Sequence, residues 1–273
     1  MRRRILNALG GCALAVALVG FAPNAEATLS IQGAPFINVE AVDIDPPTSG
    51  NHDINNTTEA EAIYAAWVAA GKPASGPIAG YTVGASGSAM HTSTDWGGAG
   101  HDFSPTNPYP GAPAVGGNDF LVRAAWAMWL PAGDYTIHVE SDDGFSLVLN
   151  GVTFSSKFGN GQGGGGQGSS NELRFEAPTG NSNTGGQFTL AADTFISATG
   201  IFFERGGGDY FEIAIDDSLT TSTGPGPYSI IRNGLVLHDQ EIIVGKRIVP
   251  EPATAMLGVF GLGALAMRRR RQS

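Results

Sequence analysis

Residues 133–151 restrict the fold more than any other stretch of the chain. Tyr135, Ile137 and Val139 alternate with Thr136, His138 and Glu140, and after Ser141-Asp142-Asp143-Gly144 the alternation resumes with Phe145, Leu147 and Leu149. A period of two places one set of side chains on one face of an extended strand, whereas a helix would scatter them. Pro131-Ala132-Gly133-Asp134 supplies turn chemistry in front, and Asn150-Gly151 is a hairpin signal behind. The run predicts an antiparallel meander.

The remainder of the chain repeats this grammar. Strands are predicted over Asn118 to Trp129, Leu173 to Phe175, Gln187 to Leu190, Thr194 to Phe203 and Tyr210 to Ile215, with a Gly-rich turn over Glu204 to Asp209. With 40 glycines in 273 residues, long helices are disfavoured and short strands joined by turns are favoured. One helix is predicted over Thr57 to Gly71, capped by Thr58, with Glu59 and Glu61 in its first turn and Ile63, Trp67 and Val68 on one face. Pro73 to Gly117 reads as loops with short strands at most, around Ile78 to Val83, and Gly159 to Asn171 as a flexible loop. Thr220 to Pro227 reads as a linker, followed by a terminal hairpin around Asn233-Gly234. The expected class is all-β, an antiparallel β-sandwich carrying one short helix.

Both ends are built for export. Arg2-Arg3-Arg4, an apolar run to about Phe21 and the small-residue site Ala25-Glu26-Ala27 form a cleavable signal helix over residues 1–27. At the other end Pro250-Glu251-Pro252 leads into the uncharged run Ala253 to Met267, closed by Arg268 to Arg271. The arginine block resists translocation, so a transmembrane helix here leaves the body on the far side of the membrane. Pro-Glu-Pro, apolar helix and arginine cluster, in that order, resemble the PEP-CTERM sorting signal. The resemblance implies recognition by an exosortase-type processing enzyme in a Gram-negative bacterium. Delivery would then be to the outer surface or the extracellular matrix, with the membrane helix held only until processing. A plain membrane anchor is the alternative.

Setting the ends aside changes the charge balance. Of 15 Lys and Arg, seven lie at positions 2–4 and 268–271, which leaves eight; of 25 acids only Glu26 and Glu251 go, which leaves 23. A body near −15 is a poor partner for nucleic acid and a suitable one for divalent cations. Cys12 leaves with the signal, so neither a disulfide nor cysteine chemistry is available to the mature body.

Residues 130–151, with their Pro-x-Gly turn, Tyr-Thr, apolar alternation, Ser-Asp-Asp-Gly and closing Asn-Gly, resemble the protective-antigen-type (PA-fourteen, flocculin-like) domain. Gly200-Ile201-Phe202-Phe203-Glu204 and Phe211 to Ile215 resemble that domain's closing hairpin. The fold implied is again a β-sandwich, here over residues 28–219, with 220–249 as linker and hairpin and 250–273 as the sorting segment. In the adhesin branch the adjacent aspartates hold calcium through a cis peptide, and the ion binds sugar hydroxyls. Carried over, the resemblance implies calcium on Asp142 and Asp143, and carbohydrate contacts from these two with Arg205 and Asp209. The second loop departs from the pattern: Arg205 stands near the expected asparagine, and Glu204 or Asp209 is left to substitute.

The five histidines lack metal-ligand spacing, and His138 falls on the polar face of its strand, where exposure is expected. His52-Asp53, Asp95 and His101-Asp102 would need to meet in space to form a hydrolytic site. The expected function is a non-enzymatic surface or matrix module contacting extracellular polysaccharide. A structural matrix protein without a ligand, or a matrix-acting hydrolase, is the alternative.

Overall fold

The computed structural model describes residues 29–31, 36–45, 53–97, 107–112, 115, 117–159, 168–224, 226–245 and 248–250. The signal segment 1–27, Glu251, Pro252 and the apolar run 253–267 lie outside them. No helix among the described residues is long and apolar enough to cross a membrane.

In chain order the elements are β1 (Leu29–Ile31), β2 (Ile37–Asp45), α1 (Thr57–Ala69), β3 (Gly76–Ile78), β4 (Tyr81–His91), β5 (Asp95–Gly97) and β6 (Phe120–Leu130). Then come β7 (Gly133–Asp142), β8 (Phe145–Asn150), β9 (Ser156–Gly159), β10 (Glu172–Phe175), β11 (Ser182–Leu190), β12 (Thr194–Glu204) and β13 (Tyr210–Asp216). The last are β14 (Ser229–Ile230), β15 (Val236–Leu237), β16 (Gln240–Glu241), β17 (Ile243–Gly245) and β18 (Ile248–Pro250). An eight-stranded sheet runs β10-β8-β12-β6-β2-β4-β3, with β17 also on β6; a six-stranded sheet runs β14-β13-β7-β11-β9, with β5 also on β13. Pairings between named strands are antiparallel. This is the all-β antiparallel sandwich with one helix that the alternation predicts.

The core fills the space between the two sheets. Tyr135, Ile137 and Val139 of β7 and Phe211, Ile213 and Ile215 of β13 face Phe145, Leu147 and Leu149 of β8 and Val122, Trp126 and Met128 of β6, all buried. Phe211 stacks between Trp96 and Phe202, at ring-centroid distances of 5.8 and 5.5 Å. A second apolar layer lies on the outer face of the eight-stranded sheet, where Ala60, Ile63 and Trp67 of α1 cover Val42, Leu121, Ile201 and Phe203.

Several expectations change. The predicted meander is not a hairpin: β7 pairs with β13 and β11, whereas β8 pairs with β10 and β12 in the other sheet. Alternation reports which face of a strand is apolar, not which strand it pairs with, and both strands satisfy it by facing the same core. Asn150-Gly151 likewise carries the chain away from β8 rather than closing a hairpin, since β9 joins β11. The expected closing hairpin also splits between sheets, β12 in one and β13 in the other.

The region from Pro73 contains an eleven-residue strand, β4, instead of loops, because pairing with β2 along Ile37 to Asp45 overrides its Gly- and Ser-rich composition. Helix α1 is capped by Asn56, whose Oδ1 accepts from Glu59 N at 2.8 Å, and Val68 is exposed while Ala60 lines the buried face. His138 is fully buried, its ring stacked on Tyr228 at 4.4 Å, because the segment expected to be a linker and its continuation fold back over β7. That segment joins both sheets, through β14 on β13 and β17 on β6. Its hairpin, β15 with β16, turns at His238-Asp239, both in the left-handed region, rather than at Asn233-Gly234.

Candidate metal centre

Three connections cross from one sheet to the other at the same end of the sandwich. Residues 142–145 lead from β7 to β8, residues 175–182 from β10 to β11, and residues 204–210 from β12 to β13. Register holds them together: Asp142 lies opposite Tyr210, Phe145 opposite both Phe202 and Phe175, Ser182 opposite Ser141, and Glu204 opposite Phe120. The crossings enclose an open cavity of about 660 Å³. It is lined by Asp142, Asp143, Thr179, Arg205 and Gly206 to Gly208, with Asn118 and Asp119 entering from in front of β6.

Asp142, Asp143 and Glu204 each aim one carboxylate oxygen into a space in which the three atoms lie within 4.8 Å of one another. Asp143 is buried and fixed by the backbone, its Oδ1 accepting from Thr179 N at 2.6 Å and its Oδ2 from Arg205 N at 2.8 Å. The peptide joining Asp142 to Asp143 is cis, the geometry that the resemblance implies. Gly207 has φ +123°, a conformation that favours glycine, and a Cβ on Gly208 would sit 3.1 Å from Asp142 Oδ2. The glycines of 206–208 therefore let the backbone fold against the Asp142 carboxylate.

Glu204 sets the electrostatics. Its relative exposure is 0%, and neither carboxylate oxygen has a hydrogen-bond partner of good geometry among the described residues. Burial, with Asp143 and Asp142 adding repulsion, pushes its carboxyl up to about 9, and the nearby Gly206 amide offsets only part of this. Burial, then Asp143 and Asp209, push Asp142 up to about 6. Burial raises Asp143 as well, against the two amides that lower it. Three acids that resist ionising together, one of them fully buried, fit a cation better than they fit each other. The donors are all oxygen, the chemistry of a hard divalent ion such as calcium.

The residues named from the sequence separate here. Asp142 and Asp143 meet, and Glu204 joins them. Asp209 contributes repulsion from nearby but is not among the three converging ligands. Arg205 turns its half-exposed side chain to Asp53, at 3.2 Å, and serves Asp143 through its backbone amide. The second loop holds no asparagine; Asn118, from in front of β6, packs against Gly206 at the rim of the cavity. Glu204 was legible in one respect: it occupies the inward-facing end of the Ile196, Ala198, Gly200, Phe202 alternation, where an acid is out of place. Asp95 is elsewhere, buried on the outer face of the six-stranded sheet opposite Glu212. His52, His101 and Asp102 lie outside the described residues.

Solved structures similar to this chain include a PA14 sugar-binding domain from an RTX adhesin (17% identity, TM-score 0.42), covering 73% of this chain and 96% of that one. The PA14 domain of the MpAFP antifreeze protein is 14% identical with TM-score 0.42, covering 74% and 92%. The epithelial adhesin 9 A domain of Candida glabrata, in complex with Galb1-4GlcNAc, is 10% identical with TM-score 0.40, covering 75% and 90%. Among curated proteins none matches. Residues 249–272 match the PEP-CTERM protein-sorting motif, so the chain ends in a sorting signal that contains Pro250, Glu251 and Pro252.

Proposed function

We propose that this protein is a non-enzymatic binding module of the bacterial surface or extracellular matrix, which holds calcium on Asp142, Asp143 and Glu204 and uses it to bind polysaccharide. The observation that carries the reading is the convergence of three carboxylate oxygens within 4.8 Å, one from a fully buried glutamate that has no hydrogen bond of good geometry among the described residues. Calcium accepts six to eight oxygens, so three carboxylates leave positions for water, backbone carbonyls and vicinal sugar hydroxyls. The bound ion would supply charge that orients those hydroxyls; Asp143, fixed by two amides, would set its position. An open cavity admits a chain end or a branch of a polymer. The carboxyls converge on one point rather than facing each other across a substrate-wide gap, which favours binding over hydrolysis.

The sorting motif supports an exported destination. In this reading an exosortase-type enzyme processes the tail of a Gram-negative protein, which the apolar run 253–267 holds in the membrane until then. The acidic body turns away nucleic acid.

Calorimetric titration with calcium, beside magnesium, tests the metal. One bound ion that raises the melting temperature, and that is lost in Asp142→Asn with Glu204→Gln, is expected. No heat and no melting shift in excess calcium would end the reading. A glycan array run with calcium and with EDTA then tests the sugar; signals indifferent to EDTA would separate sugar from metal.

A further inference from the structure

The eight-stranded sheet has an outer face that α1 covers only in part. Beyond the helix, the register places three rows of residues on that face, with Ala127 and Gly245 buried in the floor of the middle one. The first is Met90, Asn38, Ala125, Thr199 and Val148, the second Gly245, Ala127, Ser197 and Asn150, and the third Ile243, Trp129 and Phe195. Met90 and Ile243 are 44% and 47% exposed, Trp129 and Phe195 are half-buried, and Ser197 and Asn150 are exposed and joined by a 3.2 Å hydrogen bond. The strip opens at the foot of α1 into a pocket of about 140 Å³. There the Arg123 guanidinium lies 5.0 Å from the centre of the Tyr64 ring, above Ile201, Thr199 and Val148.

We infer that this face is a second, metal-independent binding surface for an uncharged polysaccharide chain. Charge selects the occupant. A body near −15 repels polyanions, yet the eleven side chains of the three rows carry no ionisable group. Shape selects it further. Ala125, Ala127 and Gly245 keep the strip flat, Trp129 and Phe195 offer ring faces for the C–H side of a sugar, and Asn38, Asn150, Ser197 and Thr199 offer donors and acceptors for hydroxyls. From the Ala125 row to the Trp129 row is four residues, about 13 Å at roughly 3.3 Å per residue, which is longer than one sugar ring and suits a chain of them. The strip shares no residue with the carboxylate cavity, so its failure and that of the calcium site are separate results.

Affinity electrophoresis of the full chain in detergent, in EDTA, through gels containing hydroxyethylcellulose, galactomannan or dextran tests this. Retardation by at least one neutral glucan or mannan is expected, with alginate giving none. Ser197→Glu, a change at an exposed position, and Trp129→Ala should each weaken retardation at least about tenfold, as truncating an anchor or charging a dry contact does. A Ser197→Glu protein with an unchanged melting temperature excludes unfolding as the cause. No retardation by any neutral polymer, or retardation indifferent to Ser197→Glu, overturns the inference. So does a dimer in sedimentation that Ser197→Glu splits, which would assign the face to a second copy of the chain.

Discussion

Replacing Glu204 with glutamine tests the metal centre through its protons. In the metal-free protein the Glu204 carboxyl titrates near 9, so at pH 7 it is protonated by a margin of two units. An ion that binds the carboxylate must expel that proton, at about 2.7 kcal/mol at pH 7. Calcium affinity should therefore rise about fiftyfold from pH 7 to pH 9, close to one decade per unit at first and less as the pH nears 9. Below about 6, Asp142 holds a proton as well and the dependence should steepen. The same shift acts on folding with the opposite sign. A carboxyl raised above its unfolded value stabilises the metal-free fold most below pH 4.5, and this contribution is lost as pH rises towards 9. Glutamine is neutral throughout, so Glu204→Gln should flatten both profiles above pH 7 and weaken binding at pH 9 by at least about tenfold, for want of one charged ligand. Competition with a fluorescent calcium chelator across pH 6 to 9, beside urea denaturation in EDTA, measures both. A wild-type affinity that is constant from pH 7 to 9, or a slope that survives in Glu204→Gln, would refute the assignment.

Gly208→Ala should reduce calcium affinity by about tenfold with little change in melting temperature, because its Cβ would press on Asp142 Oδ2 from 3.1 Å at an exposed loop. Burial pushes Asp95 up to about 6, partly offset by its hydrogen bond to Glu212. Stability tied to that group is present below about pH 4 and lost as pH rises through 6, so Asp95→Asn should remove a fall of roughly 3 kcal/mol between pH 4 and 7, read by urea titration. Phe211→Ala should cost about 3–5 kcal/mol, since it opens a void between Trp96 and Phe202 in the fully buried core; chemical denaturation measures it. Asn56→Ala should cost about 1 kcal/mol through loss of the cap on Glu59 N, a shift small enough to need paired melting curves.

The class of the fold was legible because alternation is a local property. Tyr135 to Val139 and Phe145 to Leu149 announce apolar faces whatever they pair with. Pairing is not local, and the sequence of these two strands is equally compatible with a hairpin and with opposite walls of one core. The same limit hid β4, whose glycines and serines are carried by the long register with β2. His138 looked exposed because its own strand says nothing of Tyr228, ninety residues later. In the candidate site, Asp142 and Asp143 were legible as adjacent acids in a turn. Glu204 borders the Gly-rich turn in sequence, although its inward parity in β12 marks it as buried. Asn118 gave no signal, since its nearness to Gly206 follows from Phe120 lying opposite Glu204 across two strands.

The attachment of β17 has a mechanical consequence. It joins β6 at residues 127–129, five residues before Pro250 and the sorting motif, whereas the carboxylates gather beyond Phe120 at the other end of the same strand. Seven to nine residues of extended chain separate the two, about 23–30 Å. A load drawn through the tail therefore enters the eight-stranded sheet at the end of β6 away from Asp142, Asp143 and Glu204. The three-residue pairings of β18 with β1 and of β17 with β6 can peel there before the strands that frame Asp142, Asp143 and Glu204 feel the pull. The fold thus sets the strand that leads to the sorting motif most of the length of β6 away from the three carboxylates.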